Sequence, residues 1–71
     1  MDSKQMNEFE EEIVDVYNTD KATSIKGIVL YKDAQKMRIE IDGSVTLLFN
    51  RIKPNVFVAN MAGMEFVVDV R

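Results

Sequence analysis

The chain has no cysteine, no histidine and no tryptophan, and only one proline and three glycines among its 71 residues. Each absence removes a class of chemistry. Without cysteine there is no disulfide and no thiolate nucleophile, and without histidine there is no imidazole base. Without both, structural zinc has no ordinary ligand set. Ser24, Ser44 and the threonines have no histidine to activate them, and no glycine-rich phosphate loop is present. The expectation is a non-enzymatic protein with no cofactor and no metal.

Long apolar runs are missing as well. No stretch approaches the roughly 18 residues of a spanning helix. Met1-Asp2-Ser3-Lys4-Gln5 lacks the basic start and apolar core of a secretory leader. A cytoplasmic soluble protein with no membrane partner is expected.

What is present is a small β-forming composition, 46% hydrophobic and 30% charged. A chain of 8.1 kDa buries on the order of 60% of its unfolded surface. That leaves a narrow stability margin without disulfide or metal supports, so a homo-oligomer is expected, a homodimer ahead of a monomer.

The net charge of −3 hides a split. Residues 1–20 carry seven carboxylates (Asp2, Glu8, Glu10, Glu11, Glu12, Asp15, Asp20) against Lys4, a net −6; the remainder carries eight basic residues against five acidic ones, a net +3. Such asymmetry reads as an acidic binding segment, as a basic surface shielded in cis by the arm, or as the solvated face of a short helix.

Residues 6–18 place Met6, Phe9, Ile13 and Val16 or Tyr17 at spacings near 3.6, which predicts an amphipathic helix, with Asn7 and Glu10 as a capping box and Asn18 at its end. A strand is the competing reading, because Ile13-Val14-Asp15-Val16-Tyr17 is rich in β-formers. From residue 23 onward, apolar runs at 23–32, 36–41, 44–52, 56–61 and 64–70 alternate with short turn signals. One domain is expected: an acidic helical arm over residues 1–18 and a five-stranded antiparallel meander over residues 23–70, an α+β, mainly β fold.

Parity sets the register. Met37 and Ile39 face inward if Lys36, Arg38 and Glu40 face water, and they then oppose the Val45, Leu47 and Phe49 side of the next strand. This predicts three-residue loops Ile41-Asp42-Gly43, with Gly43 left-handed, and Lys53-Pro54-Asn55, and a two-residue turn Ala62-Gly63. The inner face then continues through Met64, Phe66, Val68 and Val70. Leu48, Ile52, Val56, Val58 and Val67 remain on the other face, where the stripe of Phe9, Ile13 and Tyr17 is expected to cover some of them. Open meander edges need cover, so closure into a small barrel is expected, with Gly27 at a bulge or bend. A helix followed by a strongly bent five-stranded barrel is similar in layout to Sm-like and SH3-like folds. The likeness is architectural: Ala62-Gly63 stands where the Arg-Gly signature of an Sm protein is expected.

The candidate functional residues follow from charge. Glu8, Glu11, Glu12 and Asp15 form a candidate partner-binding set; consecutive helical residues point about 100° apart and do not converge on one ion. Lys36 and Arg38 share a face and form a candidate nucleic-acid contact, with Tyr31, Phe49 and Phe57 as stacking rings, although Phe49 and Phe57 lie on the core face. The five methionines are read as core gap fillers. Function is expected to be that of a small regulatory or adaptor protein working through protein contacts. The alternatives are a barrel that binds RNA or single-stranded DNA, and an acidic nucleic-acid mimic acting on a host protein. The size and the lack of catalytic groups suit an accessory protein of a phage or plasmid.

Overall fold

The structure, a computed structural model, describes residues 11–70. Six strands run in order: β1 (Glu12–Asn18), β2 (Thr23–Lys32), β3 (Lys36–Ile41), β4 (Val45–Lys53), β5 (Val56–Met61) and β6 (Met64–Asp69). Each pairs antiparallel with the next, and β1 pairs with β6, so the meander closes into a barrel without a crossover.

The sixth strand corrects the helix expected over residues 6–18. Over residues 12–18 the chain is β1; residues 6–10 of that expectation lie outside the described residues. Val16 is fully buried and Val14 partly so, while Ile13, Asp15 and Tyr17 point outward. That is the period of two that the β-branched run allows. The physical reason is the edges: β1 hydrogen-bonds both β2 and β6 and removes two open edges that a five-stranded meander would expose. Ile13 and Tyr17 remain 50% and 42% exposed, so they do not roof the outer face as the helix stripe was expected to do.

The core is the barrel interior. Val16, Met37, Ile39, Leu47, Phe49, Phe57, Phe66 and Val68 fill it from β1 and β3–β6. Burying each of the larger side chains stabilises by about 1.5–3 kcal/mol. The pairs Met37↔Phe49 and Ile39↔Leu47 realise the parity expected for β3 and β4. Gly27 on β2 is not at a bulge, since it pairs in unbroken register with Val14 and Ile41; it makes room. A Cβ there would meet Ile39 Cγ2 at 2.5 Å and Val16 Cγ2 at 2.9 Å.

Two turns differ in detail from their expected form. The β3–β4 loop is Asp42-Gly43-Ser44, not Ile41-Asp42-Gly43, because Ile41 pairs with Val45. The two-residue slip preserves parity, and Asp42 (φ 55°) and Gly43 (φ 72°) are both left-handed. The β4–β5 connection is a two-residue Pro54-Asn55 turn closed by Lys53↔Val56, and the odd residue is absorbed at Ile52 as a β-bulge. Beyond the bulge, Arg51↔Phe57 and Asn50↔Val58 stand in the expected register. The Ala62-Gly63 turn is as expected, closed by Met61↔Met64.

Candidate functional site

The two ends of the barrel are built differently. At one end lie the turns β1–β2, β3–β4 and β5–β6, which hold every described residue with positive φ: Ala22, Asp42, Gly43, Ala62 and Gly63. A dimple of about 220 Å³ sits there, floored by Ile25, Ile41, Val45, Met61, Met64 and Phe66. Its buried polar group, Asn18, is occupied in structure. The Asn18 Oδ1 accepts the amides of Asp20 (2.9 Å) and Lys21 (3.2 Å), and Nδ2 donates to Met64 Sδ at 3.4 Å. Thr19 N donates to the Glu65 carbonyl (3.0 Å) and Glu65 N to Asp20 Oδ2 (2.8 Å), which stitches the β1–β2 turn to β6. This end is a closure, and its dimple is below the usual size of a ligand pocket, about 300 Å³ upward.

The opposite end gathers the start of β1, the β2–β3 and β4–β5 turns and the end of β6. Both β-bulges of the barrel lie toward it, at Leu30 on β2 and Ile52 on β4. Bulges commonly re-aim a side chain. Here each turns a large aliphatic residue to solvent, with Leu30 53% and Ile52 59% exposed. Between them, the cross-strand pairs Tyr31↔Arg38 and Arg38↔Leu48 form one row across β2, β3 and β4, and Tyr31 and Leu48 are each about half exposed. The Arg38 guanidinium carbon lies 5.9 Å from the Tyr31 ring centroid, within cation–π range. Lys36, in register with Asn50, is exposed on β3 beside this row. A concavity of about 350 Å³ lined by Lys53, Pro54, Asn55, Val56 and Asp69 adjoins the Ile52 bulge.

A hydrogen-bonded turn anchors the row. The Asp33 Oδ1 accepts the amides of Gln35 and Lys36, both at 2.8 Å, and Oδ2 accepts the Tyr31 hydroxyl at 2.7 Å. The Tyr31 hydroxyl above all, and then the two amides, holds the Asp33 carboxyl below the usual carboxylate range. The same hydrogen bond, followed by the Asp33 charge, raises the Tyr31 phenol above its ordinary value. The Asp33 carboxylate thus holds the hydroxyl end of the Tyr31 ring whose face lies under Arg38.

The acidic candidates are dispersed. Asp15 Oδ1 receives Lys26 Nζ at 2.6 Å and Glu12 Oε2 receives Lys32 Nζ at 3.0 Å, while Glu11 precedes β1 and is exposed. Glu8 lies outside the described residues. Lys36 and Arg38 are brought together on one face as expected, with Arg51 of the opposite parity, paired with Phe57. Among the described residues Lys36, Arg38, Arg51 and Lys53 enter no ion pair. Phe49 and Phe57 are buried in the core, so only Tyr31 of the three candidate rings is a surface group. The sequence reading missed Leu30 as a surface residue. Its signal was the unbroken Ile28-Val29-Leu30-Tyr31 run, which in a strand puts apolar side chains on both faces of the sheet.

Among the described residues no group of histidine, cysteine, aspartate or glutamate is arranged to hold a metal ion, and no helix is long and apolar enough to cross a membrane. No family model matches the chain, and no curated protein or solved structure matches it either.

Proposed function

We propose that the chain is a non-catalytic adaptor or regulatory module that binds a protein partner through the outer surface of β2–β4 centred on Arg38. The observation that carries this reading is the company Arg38 keeps: Tyr31 under its guanidinium, Leu48 opposite and the bulged Leu30 beside them, all about half exposed on a closed barrel. Single exposed aliphatics are ordinary, but aromatic, arginine and leucine side chains clustered with cations that enter no ion pair among the described residues have the make-up of an interaction hot spot. The partner chemistry it fits is an apolar segment with carboxylates. In layout we place the barrel with the Sm-like and SH3-like modules, extended by a sixth strand.

A second reading has one observation in its favour. Tyr31, Arg38 and Lys36 offer a ring and two cations for single-stranded nucleic acid.

Affinity capture from the native cells with the wild-type chain, Leu48→Glu and a control, Asn60→Ala, tests the proposal. A protein held by wild type and control and lost with Leu48→Glu is the expected result; identical capture by all three overturns it. Anisotropy titration with a labelled single strand tests the second reading, whose mark is affinity that falls steeply with salt through counterion release. Self-association would use the same surface, and sedimentation equilibrium over a hundredfold concentration range reads it.

A further inference from the structure

The same surface has a candidate occupant in the chain itself. β1 begins at Glu12, which pairs with Val29 and accepts Lys32 Nζ, so the strand starts beside Leu30 and Tyr31 of its neighbour. Residues 1–10 contain Asp2, Glu8 and Glu10 against Lys4, a net −2, with Met6 and Phe9 as apolar groups. The surface next to that exit offers the complement: Lys36 and Arg38 without ion pairs among the described residues, and exposed Leu30, Leu48 and Ile52. Reach is ample. Ten residues extend to about 33 Å, while β1 and β4 are separated by three strand spacings, roughly 14 Å.

We propose that the acidic N-terminal segment, residues 1–10, docks in cis on the Leu30–Arg38–Leu48–Ile52 surface and competes there with the partner. This rests on the reading of that surface as the binding site and adds its regulation: a partner segment must displace the chain's own carboxylates and Phe9. The occupant is committed to the same molecule because the segment is tethered beside the surface, which raises its effective concentration far above that of a second copy.

The absence of cysteine makes the test clean. A nitroxide on Gln5→Cys in the full-length, isotope-labelled chain should broaden the amide signals of Leu30, Tyr31, Lys36, Arg38, Leu48 and Ile52 and spare those of Gly43 and Gly63 at the far end. The loss should diminish with Arg38→Glu, and at about 1 M salt, where the Debye length is about 3 Å. Uniform broadening, no broadening, or broadening centred on the far end overturns the proposal. So does broadening that appears when label and isotope are on different molecules, which would assign the contact to a second copy. The proposal fails alone if broadening is absent while Leu48→Glu still loses a captured protein. The reading of function fails alone if the broadening is found and Leu48→Glu changes no capture.

Discussion

Gly27 and Ile39 meet across the barrel wall at a distance that leaves no room for a side chain: a Cβ on Gly27 would stand 2.5 Å from Ile39 Cγ2, and Ile39 is fully buried. Val16 of β1 closes in on the same spot, its Cγ2 2.9 Å from where that Cβ would stand. Gly27→Ala is therefore expected to destabilise by about 1–3 kcal/mol through overpacking. Urea unfolding measures it, and a midpoint equal to wild type would show that Ile39 and Val16 can move aside.

The assignment of residues 12–18 to a strand is tested by parity. Val16 is fully buried and Ile13 half exposed. Val16→Ala should cost about 2 kcal/mol, whereas Ile13→Ser should change stability by no more than about 0.5 kcal/mol. A helix with Ile13 and Tyr17 on its buried stripe would give the opposite order in the same denaturation series.

Ala62 has φ 53° and precedes Gly63 at φ 78° in the two-residue β5–β6 turn. Alanine is costly in the left-handed region, and Asn-Gly is the pair such hairpins favour. Ala62→Asn should raise stability by about 0.5–1 kcal/mol, seen as a rise in melting temperature. An unchanged or lower melting temperature would count against the turn geometry.

Asp33 supplies an acid-side pH dependence. Its carboxyl is held below the ordinary 3.8 by the Tyr31 hydroxyl and two amides. Its contribution to stability is thus complete above the unfolded value and lost as pH falls through the lowered folded value. The stability advantage of wild type over Asp33→Ala should be constant near neutrality and shrink on acidification. Denaturation midpoints taken from about pH 6 down to about pH 2 follow it. A gap that stays constant to the acid end would show that the carboxylate charge carries nothing.

Much of this architecture is legible in the chain because antiparallel neighbours joined by short turns are local structure. Alternation in Lys36-Met37-Arg38-Ile39-Glu40 says which side chains go inward, and the turn chemistry of Asp42-Gly43 and Ala62-Gly63 says where the chain reverses. The basic half of the candidate site, Lys36 and Arg38 on one face, followed from the same parity. Its apolar half followed in part: parity already sets Leu48 and Ile52 on the outer face, whereas the exposure of Leu30 depends on where β2 takes up an extra residue, and alternation cannot locate a bulge.

The sequence by itself determined the β meander, the place of its turns to within a residue or two and the inward set of Met37, Ile39, Leu47, Phe49, Phe66 and Val68, because a period of two and left-handed turn positions are properties of a few neighbouring residues. The tertiary structure alone decided the state of residues 12–18. Ile13, Val16 and Tyr17 satisfy a helical spacing while Val14, Val16 and Asn18 satisfy an extended one, so local pattern leaves two answers. The choice is made by the free edges of β2 and β6, which become neighbours only once the sheet has curled: a strand there satisfies backbone groups on both sides and puts Val16 in the core, and a helix would leave both edges open. The bulge at Leu30 is likewise set by the pairing of β2 with β3, and with it the added apolar group beside Arg38.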